Sequence, residues 1–196
     1  ELLLEFYSAQ VAKLDAETLE QNPELLYRKA LASYELLGYM ESFPDVIAKL
    51  PEIKDELQFV LEHADKSSRL FAAAHLKHHF IDTVLKASIK DPQELAPVCL
   101  AFADGYLKQW ATHAALTGKA LRKEVASNVK RDPAIAASFY DFLLLFQDSP
   151  DLVLGYIKPG KIEVLGVSTN EDGWDVLSYK IKYSVDRTSC SIEQEL

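Results

Sequence analysis

The sequence predicts a mainly α-helical protein, a multi-helix bundle or irregular helical domain, that ends in a small β-hairpin of two or three antiparallel strands. Two observations lead to this fold class. Capping residues followed by proline, such as Asn22 with Pro23 and Asp91 with Pro92, recur along the chain and mark helix starts. Beyond Pro150, the apolar residues change from a helical period to strict alternation, which is typical of strands.

Helix-start residues and apolar periodicity place the helices in order along the chain. The expected ranges are 2–20, 22–41, a short helix from 44, then 51–64, 65–89, 91–118 and 119–130. Gly118 is expected to stop the helix that precedes it, because glycine commonly follows the last helical turn.

The most apolar run of the chain, Asp132 to Gln147, is expected to form the helix at the centre of the core. Asp132 can cap its first turn, and Pro133 suits the first helical position. Phe139 and Phe142 belong to one face, and further apolar residues cover most of the others, so this helix should be buried. With about 14 residues it is too short to cross a bilayer, which takes roughly 20.

The hairpin is expected over residues 158–186. Lys158 to Lys161 carries Pro and Gly at the two centres of a type II turn, and Leu177 to Val185 alternates apolar and polar residues. Residues 152–157 could add a third strand or continue a helix. We expect a single domain over 1–186, with a helical part at 1–157, followed by a polar tail at 187–196.

An internal likeness leaves a helical array open as a third architecture. Residues 33–46 and 139–152 match in character position by position, as a duplicated helix–turn–helix unit would. Amphipathic helices followed by a Pro-acid restart also resemble one another by chance.

Composition restricts the classes of partner. The net charge of −9 and the pI near 5.0 argue against general binding to nucleic acid or anionic membranes. No apolar run is long enough to cross a membrane, and Cys99 and Cys190 suggest no disulfide framework. The cytoplasm is therefore the expected location, although a targeting signal could precede Glu1.

A histidine cluster is the first candidate site. His75, His78 and Asp82 fall within about 60° of one another on a helix, and His79 lies just beyond. An i, i+4 pair such as His75 and His79 can hold a divalent transition metal with help from a carboxylate. The alternative is a polar helix edge with no ligand.

A basic helix face is the second candidate site. Lys119 to Arg131 contains five basic residues and one acidic residue, so this segment carries +4 and the rest of the chain about −13. Lys119, Arg122, Lys123 and Lys130 share a sector of roughly 100° beside an apolar stripe. Such a face could dock an acidic partner, or it could be a solvated surface only.

The sequence therefore favours a non-enzymatic interaction or regulatory module, without cofactor, that docks an acidic protein partner through the basic face. Neither a phosphate-cradling loop nor a nucleophile elbow occurs in the sequence. An exposed hairpin edge would also allow a homodimer. The rival hypothesis is a metal- or small-ligand-binding helical protein, and hence an enzyme candidate, that uses the histidine cluster.

Overall fold

The fold comes from a computed structural model, and it is mainly helical, which confirms the broad prediction. The structure describes residues 22–132, 157–169, 175–185 and 188–195, and the single residues 5, 9, 12, 135, 138, 139, 141, 142 and 145. Contacts group the chain into two compact units, Glu1–Leu95 and Ala96–Leu196. The single domain over 1–186 stays a prediction.

The first unit contains three helices, α1 (Pro23–Leu36), α2 (Phe43–His63) and α3 (Arg69–Ala87), with a 3-10 turn at Leu37–Tyr39. The side chain of Asn22 accepts hydrogen bonds from the amides of Glu24 and Leu25, which confirms the predicted cap of α1. The Ser68 hydroxyl accepts from the Phe71 amide in the same way at α3.

The predicted break before Pro51 is wrong, because α2 continues through this residue. Proline removes one backbone hydrogen bond, but Pro51 is exposed, so water can replace the bond on that side of the helix. On the opposite side, Leu50, Ile53 and Leu57 are buried at helical spacing. Continuous burial of this face stabilises one long helix over two short ones.

Ion pairs join the three helices of the first unit. Lys29 on α1 lies 2.5 Å from Glu56 on α2. Lys77 on α3 is buried, with its ammonium 4.3 Å from the centre of the Tyr34 ring and 4.0 Å from Glu35. A buried ammonium is costly unless a carboxylate or an aromatic ring faces it, and α1 supplies both.

Two helices are described between residues 92 and 131: α4 (Pro92–Leu107), whose first turn precedes the start of the second unit at Ala96, and α5 (Gly118–Arg131), with a 3-10 turn at Lys108–Trp110. The predicted helical end at Gly118 is wrong. α4 ends at Leu107, and Gly118 begins α5 with a φ of 53°. This left-handed conformation suits glycine, so the residue serves as the entry to a helix instead of its stop.

An aromatic cluster forms the core of the second unit. Phe139 and Phe142 are helical and fully buried, which confirms that this part of the apolar run belongs to the core. The Trp110 ring meets both of them edge to face at 5.4 and 5.5 Å between centres, and Tyr106 stacks on Phe142 at 6.0 Å. Edge-to-face and offset pairs of this kind are the favoured aromatic arrangements.

Three strands follow, β1 (Ile157–Thr169), β2 (Asp175–Val185) and β3 (Thr188–Glu195), in an antiparallel sheet of order β1-β2-β3. The type II turn predicted at Pro159 is wrong. This residue lies inside β1, at a register irregularity on an edge strand, where proline is tolerated. β3 occupies the stretch that the sequence predicts as a polar tail. This stretch has few apolar residues, so its sequence does not indicate a strand, and its backbone pairs with β2.

Several expected features lie outside the described residues. They are most of the helix at 2–20, the remainder of the 132–147 helix, the connection near 170–174, and residues 152–156, for which strand and helix were both open. Within the described part of the chain, no helix has the length and apolar character needed to cross a membrane.

Candidate functional site

The histidine cluster lies on α3, with its members at different depths. His75 and His79 are exposed, and their rings stack with centres 6.1 Å apart. His78 is half-buried, and burial lowers its pKa below 6.5, helped by the nearby charge of Lys54. The neutral form of His78 is therefore favoured in the folded protein.

Asp82, the carboxylate of this cluster, pairs with two lysines. Its Oδ1 accepts a hydrogen bond of 2.7 Å from Lys54 on α2, and its Oδ2 lies 2.6 Å from the Lys86 ammonium one turn along α3. The hydrogen bonds from Lys54 and Lys86 lower the pKa of Asp82 to about 2. Asp82 thereby joins α2 to α3 as a structural ion pair.

The ion pairs of Asp82 bear on the metal site predicted at this cluster. Across the described residues, no group of three or more His, Cys, Asp or Glu side chains is placed to hold one. Both oxygens of Asp82 face ammonium groups, whose positive charge opposes a cation at the same point. A metal on His75, His78, His79 and Asp82 stays a prediction.

The basic face lies on α5, and the structure divides its four residues. Lys119, Lys123 and Lys130 are exposed, whereas the apolar stripe of Leu121, Val125 and Val129 is buried. The three lysines fall within about 40° on the helix and extend over about 16 Å of its length. We call these three residues the lysine row.

Arg122 is the fourth basic residue, and it is half-buried against α4. Its Nη1 lies 3.3 Å from Oδ1 of Asp104, and its side chain is 20% exposed. The Arg122 Nε is buried without a hydrogen-bond partner. Arg122 therefore fastens α5 to α4, and its charge is already matched by a carboxylate of the same unit.

A cleft of about 330 Å³ lies at the C-terminal end of α5. It is lined by Gln109, Trp110, Ala111, Thr112, Asn128, Arg131, Asp132 and Ile135. Two hydrogen bonds hold its walls together: Asn128 Nδ2 donates to the Trp110 carbonyl at 2.9 Å, and the Thr112 amide donates to Glu124 at 3.1 Å.

No family model, curated protein or solved structure matches this chain.

Sequence reasoning missed this cleft because its walls come from separate segments. Trp110 packs edge to face against Tyr106 and also lines the cleft. Asn128 and Trp110 are 18 residues apart, so no local spacing connects them. The basic pair Lys130 and Arg131 lies in the last turn of α5, where basic residues also favour the helix dipole.

Proposed function

We propose that this protein is an interaction module that docks an acidic segment of a protein partner along the lysine row of α5. The observation that carries the proposal is the exposure of Lys119, Lys123 and Lys130 on one side of a helix whose apolar stripe is buried. This placement concentrates positive charge on a surface of a chain whose net charge is −9.

The helix gives the row a fixed spacing. Burial of Leu121, Val125 and Val129 holds α5 in place, and the pair between Arg122 and Asp104 adds a second attachment. A rigid row loses less conformational freedom on binding than lysines on a loop would. Exposed charges at an interface mainly steer association and select oppositely charged partners. Each exposed ion pair contributes about 0.2–1 kcal/mol to the binding free energy.

Selection from a random library of 12-residue peptides displayed on phage tests the proposal. We expect the peptides retained by the immobilised full-length chain to be enriched in Asp and Glu. The triple variant Lys119→Glu, Lys123→Glu, Lys130→Glu should lose this enrichment. Binding of a selected peptide should weaken by about tenfold or more, and it should weaken further in high salt.

The matched control reverses three exposed lysines of the first unit, Lys49, Lys66 and Lys90. Lys49→Glu, Lys66→Glu, Lys90→Glu changes the net charge of the chain by the same amount but leaves the lysine row intact. If both triple variants lose acidic peptides equally, only the overall charge matters and the proposal is wrong. Retention of these peptides by the α5 variant would also refute it.

A second copy of the chain is a further candidate partner, at the outer strand of the predicted hairpin. β1 is an edge strand, and Leu165 and Val167 on it are 50% and 47% exposed. Exposed apolar residues on a sheet edge favour pairing with another strand. The homodimer predicted from the sequence is therefore retained as a second proposal.

A further inference from the structure

A set of acidic residues on α2 matches the lysine row of α5 in charge and in spacing. Glu52, Asp55 and Glu62 are exposed on α2, and we call these three residues the acidic row. We propose that the lysine row of one copy of the chain docks on the acidic row of a second copy. This inference rests on the proposed function, because it identifies the acidic partner of the lysine row as another copy of this chain.

The acidic row lies on the side of α2 that faces away from the other helices of the first unit. Lys54 forms an ion pair with α3, and Glu56 forms one with α1. Asp55 lies about 100° round the helix from both of these residues. Glu62 lies within about 20° of Asp55, and Glu52 within about 60°. The row is therefore separate from the faces of α2 that pack on α1 and α3.

The two rows have matching positions along their helices. Lys123 and Lys130 are seven residues apart, as are Asp55 and Glu62, which corresponds to about 10.5 Å in each helix. If the helices run parallel, the first members of the two rows lie about 6 Å and about 4.5 Å ahead of these residues, so a third pair forms. If the helices run antiparallel, the first lysine of the row lies opposite Lys66, which repels it. The parallel alignment is therefore the favoured one.

The charges of the two helices also select this pairing. Among the five helices described between residues 23 and 131, α2 alone contains more than two acidic residues. Its five acids and two lysines give it −3, whereas the five basic residues and one acid of α5 give +4. Lys49 lies 3.5 Å from Glu52, but their side chains are 60% and 64% exposed, and such pairs are weak. Opposite charges thus steer the two faces together, and a contact of this size is expected to be transient.

Charge reversal in the full chain tests the contact. All chains carry Leu165→Lys and Val167→Lys, which exclude pairing through the edge of β1, and the chain with these two changes alone is the reference. Sedimentation velocity at low ionic strength should show concentration-dependent self-association of the reference. High salt should abolish it, so this contact and a β1 dimer are separable.

Reversal of either row should weaken self-association by at least about tenfold, because three attractive pairs become repulsive. The acidic row is reversed by Glu52→Lys, Asp55→Lys, Glu62→Lys, and the lysine row by the triple variant of α5 described above. A chain with both reversals should associate as the reference does, since the rows exchange their signs while the net charge is unchanged. An equimolar mixture of the two singly reversed chains should also associate.

The matched control reverses three exposed acids outside α2, by Glu5→Lys, Glu24→Lys, Glu41→Lys. It changes the net charge as much as reversal of the acidic row does, and it should associate as the reference does. Circular dichroism checks that each variant retains its helices. A monomeric reference, an equal loss in the control, or failure of both recoveries would overturn the inference. The proposed function would then still stand if the phage selection yields acidic peptides that the α5 variant loses, and its failure there would refute both.

Discussion

Replacing Asp82 by asparagine tests whether this residue stabilises the packing of α2 on α3 or is instead a ligand-binding carboxylate. The carboxylate accepts a hydrogen bond from Lys54 on the neighbouring helix, and it pairs with Lys86 on its own helix. Asp82→Asn keeps the size of the side chain but removes its charge. We expect the variant to be less stable than the wild type at neutral pH, because two ammonium groups lose their common partner.

The magnitude follows from the pKa. A fall of the Asp82 pKa from 3.8 in the unfolded chain to about 2 corresponds to about 2.4 kcal/mol of stability at neutral pH. Water screens part of this interaction, since the Lys86 side chain is 76% exposed. We therefore expect Asp82→Asn to lower the free energy of unfolding by roughly 1–1.5 kcal/mol.

The pH dependence has a definite sign. A carboxyl group whose pKa is depressed by folding stabilises the protein above its unfolded pKa, and this contribution disappears as pH falls through the folded pKa. The difference between wild type and Asp82→Asn should stay constant above about pH 5. It should vanish between about pH 4 and pH 2, where Asp82 takes up a proton.

Urea unfolding of the full chain, followed by circular dichroism over this pH range, measures the difference. Lys86→Gln is the matched control, because it removes only the exposed pair and should cost about 0.3–0.5 kcal/mol. Equal stability of Asp82→Asn and the wild type at neutral pH would refute the structural role. A destabilisation that persists unchanged to pH 2 would show that the lost energy does not come from the charge.

Two further predictions concern α3 and the sheet edge. Burial lowers the pKa of His78, so the free energy of unfolding of the wild type should fall as pH drops below 6.5. Measured by urea unfolding, the stability of His78→Gln should depend less on pH than that of the exposed control His63→Gln. Equal pH dependence of the two variants would contradict this prediction. If β1 pairs with a second copy, sedimentation equilibrium should show a dimer. The double variant Leu165→Lys, Val167→Lys should be a monomer. The control Leu100→Lys, which also replaces an exposed apolar residue, should remain a dimer. A monomeric wild type would refute the second proposal.

The features that the sequence predicted well are those set by neighbouring residues. The cap of Asn22 on α1 joins atoms two and three residues apart, so a short motif is enough to identify it. The exposure of the lysine row follows in the same way from the helical period of Lys119 to Lys130.

The features that the sequence could not predict depend on distant residues. Local rules end a helix at Pro51, but burial of Leu50 and Ile53 in the first unit carries α2 through it. The pairs of Asp82 with Lys54 and of Arg122 with Asp104 join residues 28 and 18 apart. An ion-pair partner within the protein determines whether a charged side chain is available to bind a ligand. The periodicity of the sequence alone does not reveal such partners.

Lysines in this chain therefore differ in role according to what their helix faces. Lys29, Lys54 and Lys77 each face a carboxylate on another helix, so their charges contribute to packing. The lysine row lies outside the buried stripe of α5, where a partner can reach it. Reversing charge at Lys54 should thus lower the free energy of unfolding, because Asp82 loses its partner on α2. Under the proposed function, reversing charge in the lysine row should weaken binding of an acidic peptide.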